Sequence, residues 1–338
     1  MKVLKNCPLK PFHTFGMDVK ASLFVEYDSV DELKDILSQY DMPRIKWLHM
    51  GGGSNLLFTS DFDGVVLHSC IKGCEVMSEN HEEVLVRVGA GVIWDDFVAY
   101  AVSHQWYGAE NLSLIPGEVG ASAVQNIGAY GMEAKDLIVK VEALEVATGE
   151  VCTFTNAECR YAYRESIFKK EWKGKYIITH VTYRLGKRPS FHLEYGNVKG
   201  ELEKSGCELT LKNVRDVIIR IREAKLPDPK VQGNAGSFFM NPVVPRMQYE
   251  SLLAKYPDMP HYMVDDEWVK IPAAWMIDRC GWKGKRVGNA GVHDKQALVL
   301  VNLGGATGQE IVRLSQQIQM SVYETFGIAI SPEVNFIG

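Results

Sequence analysis

Two periods organise the apolar residues of this chain. Alternation marks strands: Val84, Val86 and Val88 share one side of residues 84–88, and β-rich runs recur at 22–27, 137–147, 151–155 and 176–185. Thr148-Gly149 sits between two of these runs as a hairpin turn. Shorter apolar runs at 45–50 and 297–301 read as buried strands, and 328–337 as a strand interrupted by Pro332. A 3.6-residue period marks helices. Ser29-Val30-Asp31-Glu32 is a capping box opening a helix to about residue 40, with Leu33, Ile36 and Leu37 on one face. Residues 94–105 form an amphipathic helix, and others are expected at 247–256 and 273–280. A helix from Thr210 carries Val214, Val217, Ile218 and Ile221, and Pro227 and Pro229 stop it. Thr307-Gly308-Gln309-Glu310 opens a last helix with the stripe Ile311, Leu314, Ile318 and Val322, ended by Gly327. Two segments break the pattern: 108–131, with five glycines, and 227–236, rich in proline and glycine, which reads as the main linker. Strands and helices thus alternate along a chain long enough for two or three domains of mixed α and β structure.

Composition narrows the classes. At 46% hydrophobic and 23% charged residues over 338 positions, the chain is an ordinary globular protein and neither disordered nor fibrous. Lysine plus arginine number 37 against 42 acidic residues, a balance of −5 that favours neither nucleic acid nor an anionic membrane as partner. No run of about 18 apolar residues exists to span a membrane, and residues 1–6 lead into Pro8 and Pro11 without the apolar core of a secretory signal. A cytoplasmic protein is expected. The seven cysteines are odd in number and scattered, with no Cys-x-x-Cys, and read as reduced thiols. His68, Cys70 and Cys74 cluster but lack a fourth ligand at zinc-site spacing, and the nine histidines hold no His-Glu-x-x-His. No metal is expected.

The candidate chemistry starts at two glycine-rich loops, 51–55 and 115–131, which follow strands and would let backbone N–H groups approach a diphosphate. The first lacks the Gly-x-Gly-x-x-Gly spacing, because Asn55 and Leu56 stand at the third glycine, and it is not a Walker loop. Either loop alone fits a tight turn equally well; the two together point to a cofactor. Arg164 fits an ion-paired surface arginine or an anion contact. Arg222 and Lys225, three apart at a helix end, fit anion binding or compensation of the helix dipole. Ser237 has no hydrolase-type His/Asp partners, and Glu333 is a solvated strand-end carboxylate or, if buried, an acid of raised pKa.

Separated blocks in one order carry a resemblance over nearly the whole chain. They are His13-Thr14-Phe15-Gly16, residues 51–57, 115–131, Tyr163-Arg164-Glu165-Ser166-Ile167-Phe168, Lys225-Leu226-Pro227-Asp228-Pro229, 233–242, 296–302 and Pro332-Glu333-Val334. With these the sequence resembles the UDP-N-acetylenolpyruvoylglucosamine reductases (UDP-N-acetylmuramate dehydrogenases), flavoenzymes of bacterial cell-wall precursor synthesis. Tyr195, in Glu194-Tyr195-Gly196-Asn197, matches a substrate-covering tyrosine of the family's longer type. Met240 replaces a usual lysine, and Asn197 stands where aspartate is common.

The resemblance implies an α+β, α/β fold of the vanillyl-alcohol-oxidase type. Residues 1–68, joined by the strand 326–338, and 69–226 would be two FAD-binding lobes, and 227–325 a smaller α/β substrate domain. It places FAD on Gly51, Gly52, Gly53, Ser54 and Asn55 and on Pro116, Gly117, Val119, Gly120, Ala121, Ser122 and Ala123. Gln125, Asn126, Gly128, Ala129, Tyr130 and Ile178 would lie near the cofactor. It gives Arg164 and a protonated Glu333 to an enolate, Ser237 to proton delivery, and Tyr195, Arg222, Lys225, Asn241 and Gln296 to substrate or flavin contacts. The implied activity reduces the enolpyruvyl ether of UDP-N-acetylglucosamine, with NADPH and the sugar nucleotide using one pocket in turn, in a cytoplasmic monomer. The alternatives are a flavin oxidase of the same fold acting on a small alcohol or sugar, and a non-catalytic nucleotide-sugar-binding protein.

Overall fold

Local capping chemistry sets the helices, and the computed structural model describes residues 1–42 and 44–338. Ser29 accepts the Glu32 N–H at 3.1 Å and starts α1 (Val30–Gln39). The reciprocal half of the expected box is missing: the Glu32 carboxylate accepts from the Asp28 N–H and from the amino terminus instead. The chain divides into two compact units.

The first unit comprises Met1–Cys7, Ala21–Gly52 and Asp63–Ala224. One sheet runs in the order Lys2–Pro8, Lys20–Tyr27, Phe62–Ser69, Trp47–Met50, the last pair parallel with Trp47 opposite Val65. The inward faces of three of these strands and of α1 share a core built on Val25, Tyr27, Leu33, Ile36, Val65 and Leu67. A second sheet, antiparallel throughout, orders Val151–Thr155, Ile138–Glu145, Tyr176–Gly186, Glu83–Gly89 and Cys74–Glu79. Its alternating Val84, Val86 and Val88 pack with α2 (Trp94–Ser103) and with α3 (Val119–Gln125), which lies inside the glycine-rich 108–131 segment. The apolar stripe of α5 (Leu211–Lys225) meets α4 (Val198–Ser205) in a satellite core of Val198, Leu202, Val214, Val217, Ile218 and Ile221.

The second unit comprises Pro8–Lys20, Gly53–Phe62 and Lys225–Gly338. Its four-stranded sheet is Asn234–Ser237, Val299–Asn302, Ala290–Val292 and Arg286–Val287, and a three-stranded one is Val243–Pro245, Trp268–Lys270 and Tyr262–Met263. Helices α6 (Arg246–Leu253), α7 (Ala273–Arg279) and α8 (Gly308–Phe326) belong to this unit. Both halves of the α8 capping box form, and Gly327 ends the helix at φ +66°.

Two expectations need correction. The supposed linker 227–236 ends inside the strand Asn234–Ser237, because the Asn234 side chain ties back to the Pro227 and Gln232 carbonyls at 3.2 and 2.8 Å. Of 328–337 only Asn335–Ile337 is strand, paired parallel with Leu56–Phe58. Pro332 has no N–H to give a ladder and forms a single bridge with Phe239.

Candidate functional site

The two glycine loops meet within the first unit. A methyl group on Gly52 would stand 3.4 Å from the Gly117 Cα, and one on Gly51 would stand 3.2 Å from a Glu118 carboxylate oxygen. Backbone therefore faces backbone, and any side chain at Gly52 would fill the space between the loops. This is the cradle that a diphosphate-bearing cofactor requires, so the residues present fit FAD. In the second unit Gly53, at φ +60°, leaves no room for a side chain against Phe12 and His13. The second loop is held from behind. The Trp94 N–H donates to the Gly117 carbonyl at 3.0 Å, and Asp95 accepts the Leu114 N–H at 2.6 Å while pairing Arg215 at 2.7 and 2.9 Å. Burial works against the Asp95 charge, but Arg215 and the Leu114 N–H outweigh it and hold the carboxyl below its ordinary value.

Several expected cofactor residues lie behind this loop. The N–H groups of Val119 and Gly120 donate to Val92 and Ala90, each at 2.9 Å, and a methyl on Gly120 would press on Ala90 at 2.9 Å. Ser122 bonds the Tyr183 hydroxyl at 2.9 Å, Asn126 bonds the Ala162 carbonyl at 2.8 Å, and Ala123 and Ile178 are buried in the core. In this structure these residues brace the loop.

Cations gather beyond α3. Arg164 adopts a left-handed backbone at φ +58°, donates Nη2 to the Gly128 carbonyl at 2.6 Å, and lies 5.3 Å from the Tyr163 ring centre. Its own carbonyl accepts Lys169 at 3.0 Å. Arg222 adjoins Tyr130 and is close enough to Arg164 for the two charges to oppose each other. Burial lowers the Arg222 guanidinium below its ordinary value, against the pull of Tyr130 and Asp95. Its Nε is buried without a hydrogen-bond partner among the described residues. Burial likewise raises the Tyr130 hydroxyl, with Arg222 opposing. Tyr195, half exposed, stands over Gly131, where a methyl would come within 3.3 Å of its Cβ. The two arginines and the orphaned donor form a cationic cluster of the kind that suits an anion.

Sheet pairing in the second unit joins the other two catalytic candidates. Ser237 ends its strand opposite Val299, after a register shift that contains Gly236 at φ +67°, and is exposed. Such a bulge re-aims a side chain. The Glu333 N–H donates to the carbonyl of Phe238, the residue after Ser237, at 2.8 Å. Asn55 fixes this arrangement by donating Nδ2 to the Glu333 carbonyl at 3.3 Å while its own carbonyl accepts the Asn335 N–H at 3.0 Å. The residue that spoils the dinucleotide spacing thus anchors the Glu333 segment. Gln296 precedes the partner strand and accepts the Leu298 N–H at 3.3 Å. Asn241 accepts the Ala273 N–H at 2.9 Å at the start of α7, and Lys225 is exposed at the end of α5. Sequence reasoning missed Glu118, buried at the second glycine loop, and its contact with His68, which it had weighed only beside Cys70 and Cys74; the two are distant in sequence and share no motif.

Residues 228–337 match the profile of the UDP-N-acetylenolpyruvoylglucosamine reductase C-terminal domain, and residues 21–155 match an FAD binding domain. A UDP-N-acetylenolpyruvoylglucosamine reductase from Bacteroides fragilis is 58% identical over 325 residues, 96% of this chain and 97% of that protein. One from Flavobacterium johnsoniae is 49% identical over 339 residues, the full length of both. Among solved structures, the Thermus caldophilus reductase aligns at TM-score 0.68 and 21% identity, covering 100% of this chain and 98% of that one. A 6-hydroxy-D-nicotine oxidase from Arthrobacter nicotinovorans aligns at TM-score 0.54 and 12% identity, over 97% and 86%. These two alignments show a shared α+β fold. With both domain profiles matched and near half or more of the residues shared along its length, the chain belongs to the UDP-N-acetylenolpyruvoylglucosamine reductase family.

Proposed function

We propose that this chain reduces the enolpyruvyl ether of UDP-N-acetylglucosamine to UDP-N-acetylmuramate, with Arg164, Ser237 and Glu333 as its catalytic residues. It is an FAD-dependent oxidoreductase of peptidoglycan precursor synthesis that consumes NADPH. Bound FAD supplies two-electron transfer from NADPH to the substrate's double bond. Gly51, Gly52, Gly53, Ser54, Asn55 and the 116–123 loop would hold its diphosphate. As the terminal carbon gains hydrogen, negative charge passes to the substrate carboxylate as an enolate. Arg164 stabilises that charge, and a protonated Glu333 donates a hydrogen bond to it. Ser237 then gives its hydroxyl proton to the adjacent carbon and regains one from solvent. Arg222, Lys225, Tyr195, Asn241 and Gln296 bind the sugar nucleotide and orient it.

The observation that supports this reading best is the bond from the Glu333 N–H to the Phe238 carbonyl, which brings the backbone of the Glu333 segment next to that of Ser237 within one chain. A binding protein has no use for a proton donor. We propose that this chain acts as a monomer. We propose further that 1–68 with 326–338, and 69–226, hold FAD while 227–325 binds the sugar nucleotide. The protein would work in the cytoplasm, where NADPH and nucleotide sugars are made, without nucleic acid or membrane. No helix of the described residues is long and apolar enough to cross a membrane. The test is anaerobic. Purified protein is reduced with NADPH, the enolpyruvyl sugar nucleotide is added, and stoichiometric flavin reoxidation is expected. Reoxidation by oxygen alone, with none by the sugar nucleotide, would favour a flavin oxidase.

A further inference from the structure

His68 stands between two carboxylates in the first unit. Its Nε2 lies 3.0 Å from Glu118 Oε1, and its Nδ1 lies 3.3 Å from Glu26 Oε1. A neutral imidazole carries one proton. If that proton bonds Glu118, the Nδ1 lone pair faces a carboxylate oxygen, so a second cation, a proton or a metal, must sit between them. Cys70 closes the third side, with Sγ 4.0 Å from the same Glu26 oxygen. The three ligand atoms all lie within 4.8 Å of one another, and among the described residues no other group of three His, Cys, Asp or Glu ligand atoms converges this way.

We propose that Glu26, His68 and Cys70 form a zinc-type divalent metal site, with Glu118 as the outer partner that orients His68. Zinc–ligand bonds of about 2.0 Å to oxygen and nitrogen and 2.3 Å to sulfur, set tetrahedrally, put ligand atoms about 3.3–3.5 Å apart. The observed His68–Glu26 spacing already matches, and Cys70, 4.0 Å from the same Glu26 oxygen, has to move inward. A carboxylate on the remote nitrogen of a ligating histidine is the usual supporting contact of such sites, and buried Glu118 supplies it. Lys2 neutralises the other Glu26 oxygen from 3.1 Å and leaves Oε1 to the metal. Water completes the fourth position. Binding breaks the Cys70 S–H bond and releases that proton, together with the His68 Nδ1 proton where one is held. Glu26 comes from the strand Lys20–Tyr27 and His68 from its sheet neighbour Phe62–Ser69, so the metal would staple two strands.

Cobalt(II) added to the untagged, reduced full-length protein tests this. The d–d bands of a tetrahedral thiolate site fall at red wavelengths, beyond flavin absorption. One equivalent is expected to bind, with buffer-dependent heat from the released protons. Zinc at a hundredfold its dissociation constant should raise the melting temperature by about 5 °C. Cys70→Ser, a near-isosteric change, should abolish the thiolate bands, and Glu118→Gln should weaken binding about 10–100-fold while keeping the spectrum. Bands that survive Cys70→Ser, or no stoichiometric binding at micromolar metal, would overturn the proposal.

Discussion

Arg164 and Ser237 reach their positions by opposite means. Arg164 is pinned by Gly128, by its left-handed backbone and by Lys169, next to the half-buried Arg222 and Tyr130. Ser237 is an exposed residue at the end of a bulged strand, and the Glu333 backbone is held by its N–H on the Phe238 carbonyl at 2.8 Å and by the Asn55 side chain on its own carbonyl at 3.3 Å. The contrast fits the roles proposed for these groups. A charge that stabilises a developing anion works best preorganised in a low dielectric, where nothing need move during reaction. A proton donor must be refilled between turnovers, so it has to meet water. The first unit therefore offers a rigid cationic cluster, and the second an accessible acid pair.

The largest expected effect strikes both groups alike. Gly52→Leu would push a side chain against Gly117 at a cost of about 1–3 kcal/mol in folding stability, which a two-unit protein of this size survives. Its flavin should be lost, and with it both half-reactions, as the flavin-to-protein absorbance ratio of the purified variant will report. Stoichiometric flavin in the folded variant would remove Gly52 from the cradle.

Ser237→Ala should separate the half-reactions. Flavin reduction by NADPH needs no proton delivered to carbon and should stay near wild type, whereas reoxidation by the enolpyruvyl substrate should fall about 10²–10⁴-fold. Ser237→Cys should recover part of that loss, because a thiol can occupy the same place and donate. Equal slowing of both steps in stopped-flow traces would make Ser237 a shaping residue only.

Arg164→Ala should cost the substrate step about 10²–10³-fold and change its response to solvent deuterium less than Ser237→Ala does. Alanine at φ +58° meets the same backbone strain that arginine does, so the loss reports the side chain. A reoxidation rate within twofold of wild type would leave the cationic cluster without its leading member.

How much of this was legible beforehand depends on range. The caps at Ser29 and Thr307, the Val84, Val86 and Val88 alternation and the α5 stripe are local, and the structure has them where the sequence reading puts them. The strand Lys2–Pro8 buries only Cys7 and so shows no alternation, and the two- and three-residue strands of the second unit carry too few residues for a period to register. At the site, the family blocks name Arg164, Ser237 and Glu333, yet no motif says that Asn55 holds the Glu333 segment or that Glu118 meets His68. Those contacts join positions 278 and 50 residues apart. Only the folded backbone brings them together.

The smallest effect concerns stability within the first unit, away from either group. Glu142 accepts Arg87 at 2.6, 3.0 and 3.1 Å and Lys140 at 3.2 Å on the five-stranded sheet. The Arg87 hydrogen bonds, against a burial cost, hold its carboxyl at about 2 rather than near 4.5. A depressed folded value means that the added stability is complete above about pH 4.5 and disappears as the pH falls towards 2. Allowing for solvent around a partly exposed pair, the increment is on the order of 1–2 kcal/mol, or about 2–6 °C in melting temperature. Glu142→Gln should therefore melt a few degrees below wild type at pH 7, with the gap shrinking steadily below about pH 4.5 and mostly gone by pH 2.5. Its substrate step at pH 7 should match wild type, because neither the cationic cluster nor the acid pair includes Glu142. Melting curves that stay parallel down to pH 2.5 would show that the ion pair adds no pH-dependent stability, and a slowed substrate step would show that the sheet and the cationic cluster are coupled.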